Sequence, residues 1–127
     1  MVFGMAGLSH KAQQDERSQE VAQANDVVKV DAVTLFEAFK NNEVKAKQDY
    51  VGKVVEVSGR VEAVKERYIE LAENNTQFVL GWVHVYPDDK SKSKMASLRK
   101  GAFIRLRGIC TGKGFVSIDI QNAMLLD

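Results

Sequence analysis

The chain has 127 residues, 45% hydrophobic and 28% charged, which is room for one domain and the balance of a folded protein, not a disordered one. Eighteen basic residues against seventeen acidic ones leave a formal charge of +1, so no global field draws the chain to nucleic acid or to an anionic membrane. The single cysteine, Cys110, excludes an internal disulfide framework and any multi-cysteine zinc site.

At the N-terminus Val2–Leu8 is apolar, and the polar stretch from Ser9 to Asp26 follows abruptly. No apolar run approaches the about 18 residues a membrane helix requires, and a secretory signal would need a positive region ahead of a longer apolar core. Two readings stand: a frayed start at Met1, or the tail of a signal or membrane anchor that begins upstream. The first implies a cytoplasmic protein. The second implies an exported or membrane-anchored one, touching the membrane only through that anchor. Between Ser9 and Asp26 the only large apolar residue is Val21, so no face anchors a helix there. Residues 1–26 therefore read as a flexible polar leader, and 27–127 as the domain.

From Val27 to Tyr50 the pattern is helical. Asp31 is a candidate cap, and Val33, Leu35, Phe36 and Phe39 form a broad apolar stripe at spacings of three and four. Asn41-Asn42 interrupts it, and a second short turn carries Val44, Ala46 and Tyr50 before Gly52. The period then becomes two. Val55, Val57, Val61 and Ala63 share one face with Gly59, opposite Glu56, Ser58, Arg60 and Glu62. Arg67–Leu71 is a short strand with Ile69 and Leu71 inward. Phe78–Val85 alternates again, with Val79, Val83 and Val85 opposite Phe78, Leu80, Trp82 and His84, and Pro87 ends it. Ser91–Leu98 suits two helical turns. Ala102–Thr111 sets Ile104, Leu106, Gly108 and Cys110 against Phe103, Arg105, Arg107 and Ile109; after Gly112-Lys113-Gly114, Phe115–Gln121 turns Val116, Ile118 and Ile120 inward. A helix, three strands, a short helix and two strands is the order of the OB-fold, a five-stranded Greek-key barrel. The fold expectation is therefore mainly β, with a helix before the barrel and a short one between its third and fourth strands.

The run Asn42–Ala46, then Tyr50–Val61, resembles the tRNA_anti-like family of bacterial OB-fold proteins, as do Leu98-Arg99-Lys100-Gly101 and Arg107–Gly112. The resemblance spans roughly Val30 to the C-terminus. It implies an OB-fold with a preceding helix, named by analogy with anticodon-binding domains and without an established activity for most members. It also implies a second cysteine in the last strand, where this chain has Asn122; a disulfide staple of that kind has no partner here.

OB-folds take oligonucleotides or oligosaccharides on the face of their second and third strands. The outward candidates are Arg60, Tyr68, Phe78, Trp82, His84, Arg105 and Arg107, with Lys92 and Lys94 in the following loop for phosphates. Base stacking on an exposed aromatic is worth ~1–3 kcal/mol, so Tyr68, Phe78 and Trp82 would make a platform. The competing reading, preferred for these two, packs Trp82 and Phe78 under the helix bearing Phe36 and Phe39. Lys90, Lys92 and Lys94 also read as a solvated loop diluted by Asp88 and Asp89, and Glu56, Glu62 and Glu70 would repel a phosphate backbone.

No phosphate loop, nucleophile elbow or dinucleotide fingerprint is present. His84 with Asp88 or Asp89 lacks a third metal ligand, and Cys110 is expected inside the barrel. The expectation is a non-catalytic binding module with no cofactor and no metal. Single-stranded nucleic acid is the leading partner. The alternative is an envelope module for protein or oligosaccharide, favoured by the near-neutral charge and the outward glutamates.

Overall fold

The computed structural model describes residues 10–72, 82–113 and 117–126, with the side chains of 10–15, Trp82 and Lys113 outside that description. In chain order the elements are α1 (His10–Gln23), β1 (Val28–Asp31), α2 (Ala32–Asn41), α3 (Glu43–Tyr50), β2 (Val54–Val64) and β3 (Ile69–Leu71). They are followed by β4 (Trp82–Pro87), a 3-10 helix (Lys92–Ser97), β5 (Phe103–Lys113) and β6 (Ser117–Leu126). The sheet runs β1-β2-β3-β4-β6-β5, and β5 pairs back onto β2. Five strands thus close on themselves, which removes most of the edges that short strands would otherwise expose. This is the expected barrel. The short helix falls between the barrel's third and fourth strands, as the sequence order requires.

The alternation read in the sequence is the alternation of burial. Val55, Val57, Ile69, Leu71, Val83, Val85, Leu106, Cys110, Ile118 and Ile120 all lie inside, and Leu35 and Phe39 of α2 join the same buried cluster. The apolar stripe of α2 therefore completes the barrel core. One close approach and two helix caps allow this. A Cβ on Gly59 would stand 3.0 Å from Ala32 Cβ, so the missing side chain lets the start of α2 settle on β2. Asp31 caps α2, accepting from Thr34 N at 2.7 Å. Asn42 ends α2 and caps α3, accepting from Lys45 N at 3.0 Å.

Three expectations need correction. Val28–Asp31 is a sixth strand, not the start of a helix; it pairs parallel to β2 from Val28↔Val55 to Asp31↔Ser58. Val28-Lys29-Val30-Asp31 does alternate, but over only four residues ahead of a helical pattern, and its partner lies beyond two helices. Second, His10–Gln23, within the segment expected to be a leader, forms α1, and Val21 is 0% exposed; residues 1–9 lie outside the described residues. One valine offers little anchorage by itself, yet α1 packs against β5 and β6. Third, the last strand runs on to Leu126 and changes phase. Ile118 and Ile120 point inward, then Ala123 and Leu125. Asn122, at φ 52°, absorbs the extra residue of this bulge. Gly108 lies against it, where a Cβ would come 2.6 Å from Ile120 Cγ2 and 2.9 Å from Gln121 O. None of the described helices is long and apolar enough to cross a membrane.

Candidate ligand-binding face

On β4 the inward turn of Val83 and Val85 sends His84 and Tyr86 to the outer surface. Strand register then places Glu70 of β3 and Asp119 of β6 directly opposite His84 on either side. Tyr68, just ahead of β3, stacks on His84 with ring centroids 4.4 Å apart and planes 28° apart. Its ring also lies 5.4 Å from that of Tyr86, tilted by 46°. The result is an aromatic row, Tyr68–His84–Tyr86, flanked by two carboxylates.

The charge state of the row follows from burial. His84 Nε2 is buried without a hydrogen-bond partner and lies 3.8 Å from Glu70 Oε1, beyond hydrogen-bond reach. Loss of water lowers the imidazole's affinity for a proton more than Glu70 and Asp119 raise it. His84 is therefore neutral at pH 7, and the close approach to Glu70 is not an ion pair there. Burial, with Asp119 and Tyr68 adding to it, pushes the Tyr86 phenol up, so it remains a hydroxyl donor. Ser117 Oγ donates to Asp119 Oδ1 at 2.7 Å and fixes that carboxylate.

The cations of the expected set are elsewhere. Arg107 Nη2 donates to Glu56 Oε1 at 3.1 Å, and Arg105 Nη1 lies 3.8 Å from Glu56 Oε2. Both stand on the β2–β5 side of the barrel, opposite Glu56 and Ser58. Arg60, exposed, donates to Gly101 O at 3.2 Å. Lys92 pairs with Asp89 at 3.2 Å, and Lys94 Nζ donates to Leu125 O at 3.5 Å. Of the sequence candidates the structure thus joins Tyr68 and His84 and separates both from Arg60, Arg105 and Arg107. Trp82 opens β4 opposite Ser117, with its side chain outside the described residues, where Phe78 lies altogether. Tyr86 is not among the sequence candidates, although the alternation Trp82, His84, Tyr86 carries it; Pro87 beside it masks the continuation of the strand.

Catalytic chemistry finds little here. Cys110 is 0% exposed, and burial pushes its thiol up to about 11, the opposite of an activated nucleophile. Among the described residues no three His, Cys, Asp or Glu side chains are grouped to hold a metal ion. His84 faces Glu70 and Asp119, while Asp88 accepts from Ser91 N at 2.8 Å.

The sequence profile of the tRNA_anti-like family matches residues 1–122. The chain belongs to the tRNA_anti-like family. A lipoprotein of Klebsiella pneumoniae subsp. pneumoniae MGH 78578, with a suggested nucleic-acid-binding role, superposes with a TM-score of 0.62 at 16% identity. That match covers 85% of this chain and 97% of the lipoprotein. An OB-fold protein of Thermotoga maritima MSB8 gives a TM-score of 0.56 at 10% identity, over 94% of this chain and 99% of that one. At such identities these two structural likenesses establish the shared barrel and no more. No curated protein matches the chain.

Proposed function

We propose that this tRNA_anti-like chain is a non-catalytic nucleic-acid-binding module that takes single strands on the Tyr68–His84–Tyr86 face. The observation that carries the reading is the aromatic row itself, standing on the second and third strands of an OB barrel. Stacking there is tolerant of base identity and worth ~1–3 kcal/mol per base, enough for recognition with few phosphate contacts. The suggested role of the Klebsiella neighbour points the same way, and a lipoprotein neighbour is consistent with an envelope location. The test is a titration with single-stranded DNA and RNA oligonucleotides at low salt, followed by protein fluorescence and by the Tyr68 and Tyr86 ring signals. Saturable quenching that Tyr68→Ala abolishes is expected. A flat signal to about 100 μM, the range of non-specific binding, would sink the reading.

The protein or oligosaccharide alternative keeps one specific support. Glu70 and Asp119 flank the aromatic row, while Arg105, Arg107 and Lys92 lie against carboxylates of their own. Aromatic rings beside carboxylates suit neutral, hydroxyl-rich ligands better than phosphates.

A further inference from the structure

At the end of β4 a cleft of about 400 Å³ opens between the β2–β3 turn, the start of the segment leading to the 3-10 helix, and β6. Its origin is a mismatch of register. Val85 pairs with Ile120 and Pro87 with Ala123, so the single residue Tyr86 faces both Gln121 and Asn122. The bulge, with Asn122 at φ 52°, thereby leaves two amide side chains half-buried beside one phenol. The turn that closes the other wall is tied by Lys65 N donating to Tyr68 O at 2.8 Å, which brings Arg67 to the rim. Asp88 N donates to Ala123 O at 2.8 Å and holds the third wall to β6.

The lining chemistry discriminates among ligands. Glu66, Asp88 and Asp89 outnumber Arg67 and Lys92, and Lys92 is already paired with Asp89. An incoming phosphate would meet net negative charge. Arg67 is exposed at the rim and has no hydrogen-bond or ion-pair partner among the described residues. Two amides, carboxylate oxygens and a guanidinium supply both donors and acceptors, which is what adjacent hydroxyl groups require. The rings of Tyr86 and Pro87 offer an apolar surface, and the volume lies at the small end of ligand clefts. We propose that this cleft is a saccharide site that takes one neutral pyranose unit, its hydroxyls bonded by Gln121, Asn122 and Arg67. The cleft shares Tyr86 with the aromatic row, but its hydroxyl contacts come from Gln121, Asn122 and Arg67, so the proposal does not rest on the nucleic-acid reading.

The test is a titration of the full chain, followed by backbone amide NMR, with methyl β-glucopyranoside, methyl β-galactopyranoside and N-acetylglucosamine. Cytidine monophosphate serves as the anionic comparator. Expected are saturable shifts at Arg67, Gln121 and Asn122 with at least one sugar below about 10 mM, the weak end of single-site recognition. Gln121→Ala and, on the exposed turn, Arg67→Ala should each weaken that binding about tenfold, the size of one lost hydrogen bond. Two variants guard against loss of folding in either. No saturable shift with any of the three sugars would overturn the proposal. So would tighter binding of cytidine monophosphate at these same amides, or sugar binding unaffected in both variants. Oligonucleotide binding, read at the Tyr68 ring, succeeds or fails separately.

Discussion

His84 shows how a single residue's surroundings set its charge. Its imidazole loses more on leaving water than Glu70 and Asp119 return, so its folded pKa lies below the ordinary 6.5. Between the folded and unfolded values the unfolded chain binds more protons, and stability rises with pH across that window. Above about 6.5 the contribution is fully present; as pH falls it declines, levelling below the folded pKa. Denaturant unfolding should therefore show His84→Gln less sensitive than the parent to a drop from about pH 7 to 5. Parallel pH profiles for the two would refute this account of His84. Gly108 makes a packing claim. A Cβ there meets Gln121 O and Ala123 Cα, which are backbone atoms and cannot rotate away. Gly108→Ala should cost about 1–3 kcal/mol or more by thermal or denaturant unfolding, whereas an unchanged midpoint would show that the bulge yields.

Among the elements, α1 stands outside the main core and packs on the barrel at β5 and β6. Among its described side chains the only wholly buried apolar one is Val21. Val21→Asp should abolish hydrogen-exchange protection across 16–23 while leaving the barrel's amides nearly as protected as before, because local opening there does not breach the core. Equal loss in the barrel would mean that α1 is part of its folding unit. The elements also differ in how readable they were. Asp31 was legible as a cap because its partner, Thr34 N, is three residues away. The strand that the same Asp31 ends was not, because its partner β2 starts at Val54, beyond two helices. The α1 helix was misjudged for a related reason: the value of one valine depends on the surface waiting for it.

Over the whole molecule, electrostatics bear on how any nucleic acid would be held. The net charge is +1, and Arg105, Arg107 and Lys92 already lie against Glu56 and Asp89. Few counterions would be released on binding. The logarithm of oligonucleotide affinity should therefore fall with the logarithm of salt at a slope of about −2 or shallower. Fluorescence titrations across a potassium chloride series measure it. A slope steeper than about −5 would mean that the arginines leave Glu56 for phosphate, and that stacking is not the main attraction.

The closed barrel, most of its described inward residues up to Ile120 and the burial of Cys110 followed from the sequence alone, because period-two alternation is a local property that any half-buried strand must display. The candidate face was only half visible. Tyr68 and His84 could be named as outward residues, but their stacking arises from the β3–β4 register. The same holds for the opposition of Glu70, His84 and Asp119, and for the neutralisation of Arg105 and Arg107 by Glu56. Tertiary structure alone decided these, since strand pairing joins residues far apart in the chain and a one-residue bulge, such as that at Asn122, changes which of them meet.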